Sequence, residues 1–178
     1  MEKSIELLEP LSNSLELIEL LPHRYPALYI QSVIDIDISG HEADNGEPAT
    51  KPHILAVGSV PLSECAGHFP GHPVVKAGDV FDALGQAAAI LALRRERLSG
   101  VAVVFRKISV DDLRQPLMPN LPFAIAVKVL DIQRKLRGLR YFFEGRICCD
   151  EFEYPIMEAT FSGVAISREL LTAKLSAK

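Results

Sequence analysis

The stretch Gly67–Leu93, GHFPGHPVVKAGDVFDALGQAAAILAL, decides the fold. It begins with two histidines in a Gly/Pro-rich turn and continues into a long apolar segment. From Asp79 to about Arg97 the periodicity predicts the chain's one long helix, with Val80, Phe81, Ala83, Leu84, Ala87, Ala88, Ile90, Leu91 and Leu93 spread round the whole cylinder. A helix apolar on every face is buried on every side. Only Asp82 and Gln86 are polar in its body. Arg94, Arg95 and Arg97 close it, matching the negative end of the helix dipole.

Outward from the helix the pattern changes to strands. Leu28–Ile38 and His53–Leu62 precede it; 101–110, 123–133, 139–150 and 154–167 follow. Each is rich in Val, Ile and aromatic residues and bounded by turn residues. Asn13 with Glu16 makes a capping box for a short helix, Ser14–Leu20, ended by Pro22. RKLRG and DEFE read as hairpin tips, and 39–52 as a polar loop. One buried helix beside a largely antiparallel sheet is an α+β architecture, and 178 residues suit one domain, 1–178, with residues 1–20 as an extension.

Composition narrows the function classes. Hydrophobic residues make up 48% and charged residues 24%, the balance of a soluble globular chain. A net charge of −4 argues against a general nucleic-acid binder. Cys148 and Cys149 are adjacent, a poor geometry for a disulfide, and Cys65 is left over, so a reducing compartment, the cytoplasm, is expected. No residue group has metal-ligand spacing, and no cofactor is expected. The N-terminus lacks a signal-peptide pattern, and no apolar run reaches the ~20 residues of a membrane span.

The chemistry-bearing residues are His68 and Asp82, fourteen positions apart across a turn and a helix start. An imidazole titrates near neutrality, and a carboxyl against apolar surface more readily holds a proton, so such a pair can move protons without a metal. Free N–H groups at the helix start can meet a developing oxyanion. A plainer reading stands beside this one. Asp79 can be the helix N-cap, with Asp82 a first-turn acid facing backbone N–H groups. His68 can be a loop residue bound to backbone, and Gln86, one turn after Asp82, can bond a backbone group.

LPHRYP (Leu21–Pro26), AGHFPGHPV (Ala66–Val74) and FDALGQAAAIL (Phe81–Leu91) resemble the β-hydroxyacyl-acyl-carrier-protein dehydratases of fatty-acid synthesis, over roughly Leu20 to Arg168. The resemblance implies the hotdog fold, a curved antiparallel sheet around one long helix. It implies dimers, or trimers of dimers, whose sites take the histidine from one subunit and the acid from the other. His68 and Asp82 are then catalytic: His68 takes the α proton of a 3-hydroxyacyl thioester and Asp82 helps the β-hydroxyl leave. Phe69, Gly71, His72, Gly78, Phe81 and Gln86 are implied as substrate-binding. The partner is an acyl carrier protein, which is acidic, and Arg94, Arg95, Arg97, Arg106, Lys107 and Arg114 are candidate contacts for it. Val75-Lys76-Ala77 stands where the family usually has Met-Pro-Gly, and Asp82 takes the place that one branch gives to Glu. A hotdog thioesterase and a non-catalytic acyl-binding subunit are the competing readings.

Overall fold

The computed structural model describes residues 19–40, 50–96, 101–135, 138–149 and 155–167. Six strands form one antiparallel sheet: β1 (Ile30–Asp37), β2 (His53–Gly58), β3 (Val101–Leu113), β4 (Phe123–Lys135), β5 (Gly138–Cys148) and β6 (Met157–Ser167). Their order across the sheet is β1-β2-β4-β5-β6-β3, which leaves β1 and β3 at the edges. A 3-10 turn, Leu62–Cys65, leads into α1, Ala77–Glu96, the one long helix among the described residues. α1 touches all six strands. This is the α+β wrap that an all-round apolar helix demands.

Close approach is built from small side chains. Ala83, Ala87, Ala88, Ala89 and Ala92 of α1 are buried, and alanine lowers the helix surface without costing helix propensity. At Gly85 the ring of Phe105 lies 2.9 Å from where a Cβ would sit. Phe81, Phe105 and Phe161 meet edge to face, at centroid distances of 5.4–6.5 Å. Such pairs add about 0.5–1.5 kcal/mol each beyond their burial. Tyr141 lies stacked on Phe143, and its buried hydroxyl donates to Glu96 Oε1 at 2.6 Å. Burial, then the Glu96 carboxylate, pushes the Tyr141 phenol well above its ordinary pKa.

Several expected boundaries move. α1 begins at Ala77 rather than Asp79, because Lys76 O accepts from the N–H groups of Asp79 and Val80 at 3.0 and 3.2 Å. Lys76 is therefore the cap, and Asp79 lies inside the first turn. β2 stops at Gly58, where Ser59 N turns to donate to Tyr29 O and Pro61 follows. β3 runs on to Leu113, carried by its pairing with β6 as far as Met157. β1 and β6 start later than expected, at Ile30 and Met157. The expected helix Ser14–Leu20 lies outside the described residues except for Glu19 and Leu20, which are helical. DEFE also lies outside them.

Gly58 carries a prediction. A Cβ there would stand 2.7 Å from the backbone oxygen of Tyr29 and 3.0 Å from the Phe123 ring. Backbone cannot step aside as a side-chain tip can. Gly58→Ala is expected to cost about 1–3 kcal/mol in denaturant unfolding, the usual range for overpacking. An unchanged midpoint would contradict the packing described.

Candidate active site

The turn before α1 is held by its own backbone. His68 N donates to Cys65 O at 3.1 Å and His72 N to Phe69 O at 3.0 Å. Gly67 and Gly71 have φ of +77° and +85°, the left-handed region that glycine enters without strain. A Cβ at either would meet nothing within 4 Å, so backbone shape rather than space calls for glycine. Val75 N donates to Leu117 O at 2.8 Å, anchoring the far side of the turn to the strand-end loop.

This turn fixes His68. Nδ1 lies 3.1 Å from Val74 O. A carbonyl oxygen only accepts, so Nδ1 must carry the proton. In the neutral ring Nε2 then keeps its lone pair free, the state a general base needs. Phe69 packs edge-on against the imidazole, with ring centroids 4.6 Å apart. Both rings line a cavity of about 300 Å³ whose other walls are mostly apolar, among them Val75, Val80, Leu113 and Leu117. Phe69 is 55% exposed in the single chain.

Asp82 sits elsewhere. It lies in the second turn of α1, with its side chain 45% exposed. Oδ2 accepts from Gln86 Nε2 at 3.0 Å, and His23 Nε2 of the LPHRYP motif is 3.9 Å away. Asp82 makes no hydrogen bond or ion pair with His68 and does not line its cavity. Within one subunit, therefore, the two candidate catalytic groups are not brought together.

Gln86 is the joint of the Asp82 side. It is 1% exposed, and its amide is fully used: Nε2 donates to Ala27 O at 2.8 Å as well as to Asp82, and Oε1 accepts from Tyr29 N at 2.9 Å. The segment between LPHRYP and β1 is thereby pinned to the helix turn that carries the acid. The Tyr29 phenol is raised well above its ordinary pKa by burial and then by the nearby Asp79, Glu64 and Asp82 charges. Burial, then Asp79, also raises the Cys65 thiol.

The remaining predicted residues divide. The N–H of His72 is engaged in its turn, while those of Ala77 and Gly78 donate to no acceptor among the described residues and so stand free at the helix start. Phe81 turns into the aromatic cluster and does not line the His68 cavity. Of the candidate carrier contacts, Arg114 alone lines that cavity, and it is paired with Asp112 and Glu158. Arg95 donates to Ile38 O and Ser39 O at the C-terminal end of α1. A helix of 20 residues separates that end from the His68 turn by about 30 Å. Arg106 and Lys107 are exposed on β3, and Arg97 lies outside the described residues. The sequence marks Asp79 only as a candidate helix cap and assigns no role to His23 or Tyr29. LPHRYP was a signal for His23; nothing in a strand start marked Tyr29.

No group of His, Cys, Asp and Glu that could hold a metal occurs among the described residues, and none of their helices is long and apolar enough to cross a membrane. No protein-family model matches the chain. The chain is 31% identical over 154 residues to the 3-hydroxyacyl-[acyl-carrier-protein] dehydratase FabZ of Wolbachia sp., covering 85% of this chain and 95% of that relative. The FabZ of Haemophilus influenzae is 32% identical over 146 residues, 77% of this chain and 88% of the relative. Among solved structures, the dehydratase heterocomplex ApeI:P of Xenorhabdus doucetiae superposes with a TM-score of 0.58 at 12% identity, over 89% of this chain and 96% of that one. That likeness concerns the fold, a hotdog. The sequence relationship to the curated relatives, over nearly their whole length, places the chain in the family of 3-hydroxyacyl-[acyl-carrier-protein] dehydratases named FabZ.

Proposed function

We propose that this chain eliminates water from a 3-hydroxyacyl thioester carried by an acyl carrier protein, giving a trans-2-enoyl thioester. The observation that carries the reading is His68: its Nδ1 is tied to Val74 O, which leaves Nε2 as the basic nitrogen at the wall of an apolar cavity. An acyl chain fits such a cavity, and the free N–H groups of Ala77 and Gly78 suit a thioester oxygen that gains charge as the α proton leaves. Nε2 takes that proton. The α carbon's electron pair forms the double bond, the bond from the β carbon to its oxygen breaks, and the Asp82 carboxyl gives its proton so that hydroxide leaves as water. Solvent exchange returns the proton from His68 to Asp82.

The separation of His68 from Asp82 supports a shared site. Ile108, Val110 and Leu113 of the edge strand β3 pair in register with Phe161, Ala159 and Met157, so they share the core-facing side of the sheet, yet are 45–49% exposed. Leu113 also lines the His68 cavity. A second copy laid along β3 covers these side chains and supplies its Asp82 to this subunit's His68. Ile108→Glu is expected to elute as a monomer in size-exclusion chromatography with dehydration lost. A monomer of full activity would contradict the shared site, and release of free acid from the thioester would point to a thioesterase.

A further inference from the structure

A second cavity, of about 270 Å³, opens on the opposite face of the sheet from α1. Its walls come from β3, β5 and β6, with Leu130 of β4, and the register places Lys107 beside Ser162, Ser162 beside Phe142, and Ser109 beside Thr160. Lys107, Ser109, Thr160 and Ser162 give it an ammonium and three hydroxyls, and Phe142 contributes an apolar surface. No carboxylate lines it.

Part of its hydrogen-bonding capacity is unspent, although Ser109 Oγ donates to Asp111 Oδ1 at 3.5 Å. Lys107 makes no ion pair, and the Thr160 hydroxyl no hydrogen bond, among the described residues. Ser162 is 2% exposed and accepts from Arg140 Nη2 at 3.2 Å, so its own proton remains to be donated. Arg140 lies over the Phe142 ring, 4.9 Å from its centroid, with a buried Nε that has no partner. The Lys107 ammonium and the free Thr160 and Ser162 hydroxyl protons favour an anion, and the phenylalanine favours a flat or aliphatic body attached to it.

We propose that this outer-face cavity binds a small oxyanion borne on an apolar body, either a carboxylate or a phosphate monoester. The size, just below the usual range of drug-sized ligand pockets, fits a single ring or a short chain. The site shares no residue with the His68 cavity, although its Lys107 and Ser109 lie on β3, the edge strand along which the second copy is laid.

The test is an amide-shift titration of the full isotope-labelled chain with benzoate and, separately, phenyl phosphate. Saturable binding of either at a Kd of about 1 mM or tighter is expected, with shifts centred on 107–109, 140–144 and 160–163. The tighter of the two names the source of the oxyanion. Lys107→Met and, as a second variant that leaves every charge in place, Thr160→Val are each expected to weaken binding several-fold to tenfold while the rest of the spectrum is unchanged. Failure of both probes to saturate, shifts centred on the His68 turn, or parent-like binding by both variants would overturn the proposal.

Discussion

Mixing two inactive proteins, His68→Ala and Asp82→Asn, is expected to restore dehydration. Each variant alone is expected to lose about 10²–10⁴-fold in kcat, the range for removing one general acid or base. If the site takes His68 from one subunit and Asp82 from the other, a mixed dimer holds one site lacking both groups and one lacking neither. Random re-association of an isologous dimer puts half the molecules in that form, so about a quarter of the parent activity returns. The structure motivates the experiment directly. His68 bonds Val74 O, Asp82 bonds Gln86, and no bond joins the two within a subunit. Mixtures as inactive as their components, under conditions where subunits exchange, would mean that both groups serve a site within one chain.

Gln86→Leu is expected to damage stability and activity together. Leucine fills a similar volume but offers no polar atom. Tyr29 N and Ala27 O would then stay buried and unpaired, at about 1–3 kcal/mol each, so the unfolding free energy should fall by roughly 2–6 kcal/mol. Asp82 would also lose the donor that holds Oδ2. At a temperature where the variant remains folded, kcat should fall at least ~10-fold, the scale of a misplaced general acid, with KM changing less. Gln86→Glu separates the two effects. Its carboxylate still accepts from Tyr29 N but cannot donate to Asp82 and adds charge beside it. A variant as active as the parent would show that Gln86 is only a structural joint.

Much of the fold was legible because one element left a single solution. A helix with Val80, Leu84, Ala88 and Leu91 spread round its axis has no face to give to water, and only a wrapped sheet covers it. The strands were legible as apolar runs, though not their ends. β3 continues past Val110 through an irregularity at Asp111 to Asp112, which pairs with Glu158 of β6. The helix start was misread because an aspartate is a favoured cap, whereas here a lysine carbonyl performs that part.

The site was legible as residue types and only partly as geometry. His68, Asp82 and Gln86 stand out as polar groups among apolar ones. Which basic residues reach the cavity could not be read, because sequence gives no sign of which helix end the site occupies; Arg94 and Arg95 sit at the other one. Phe81 precedes Asp82, yet successive helix residues point about a quarter-turn apart, and that rotation carries Phe81 into the core. The lone pair on His68 Nε2 depends on a carbonyl six residues away, which no spacing rule anticipates.

The most direct test of the central claim is product mass from the purified chain incubated with a 3-hydroxyacyl carrier-protein thioester, with His68→Ala beside it. The account predicts an acyl thioester lighter by one water for the parent and an unchanged substrate for the variant. A parent that leaves the thioester intact across short, medium and long chains, or that releases free acid instead, would contradict it.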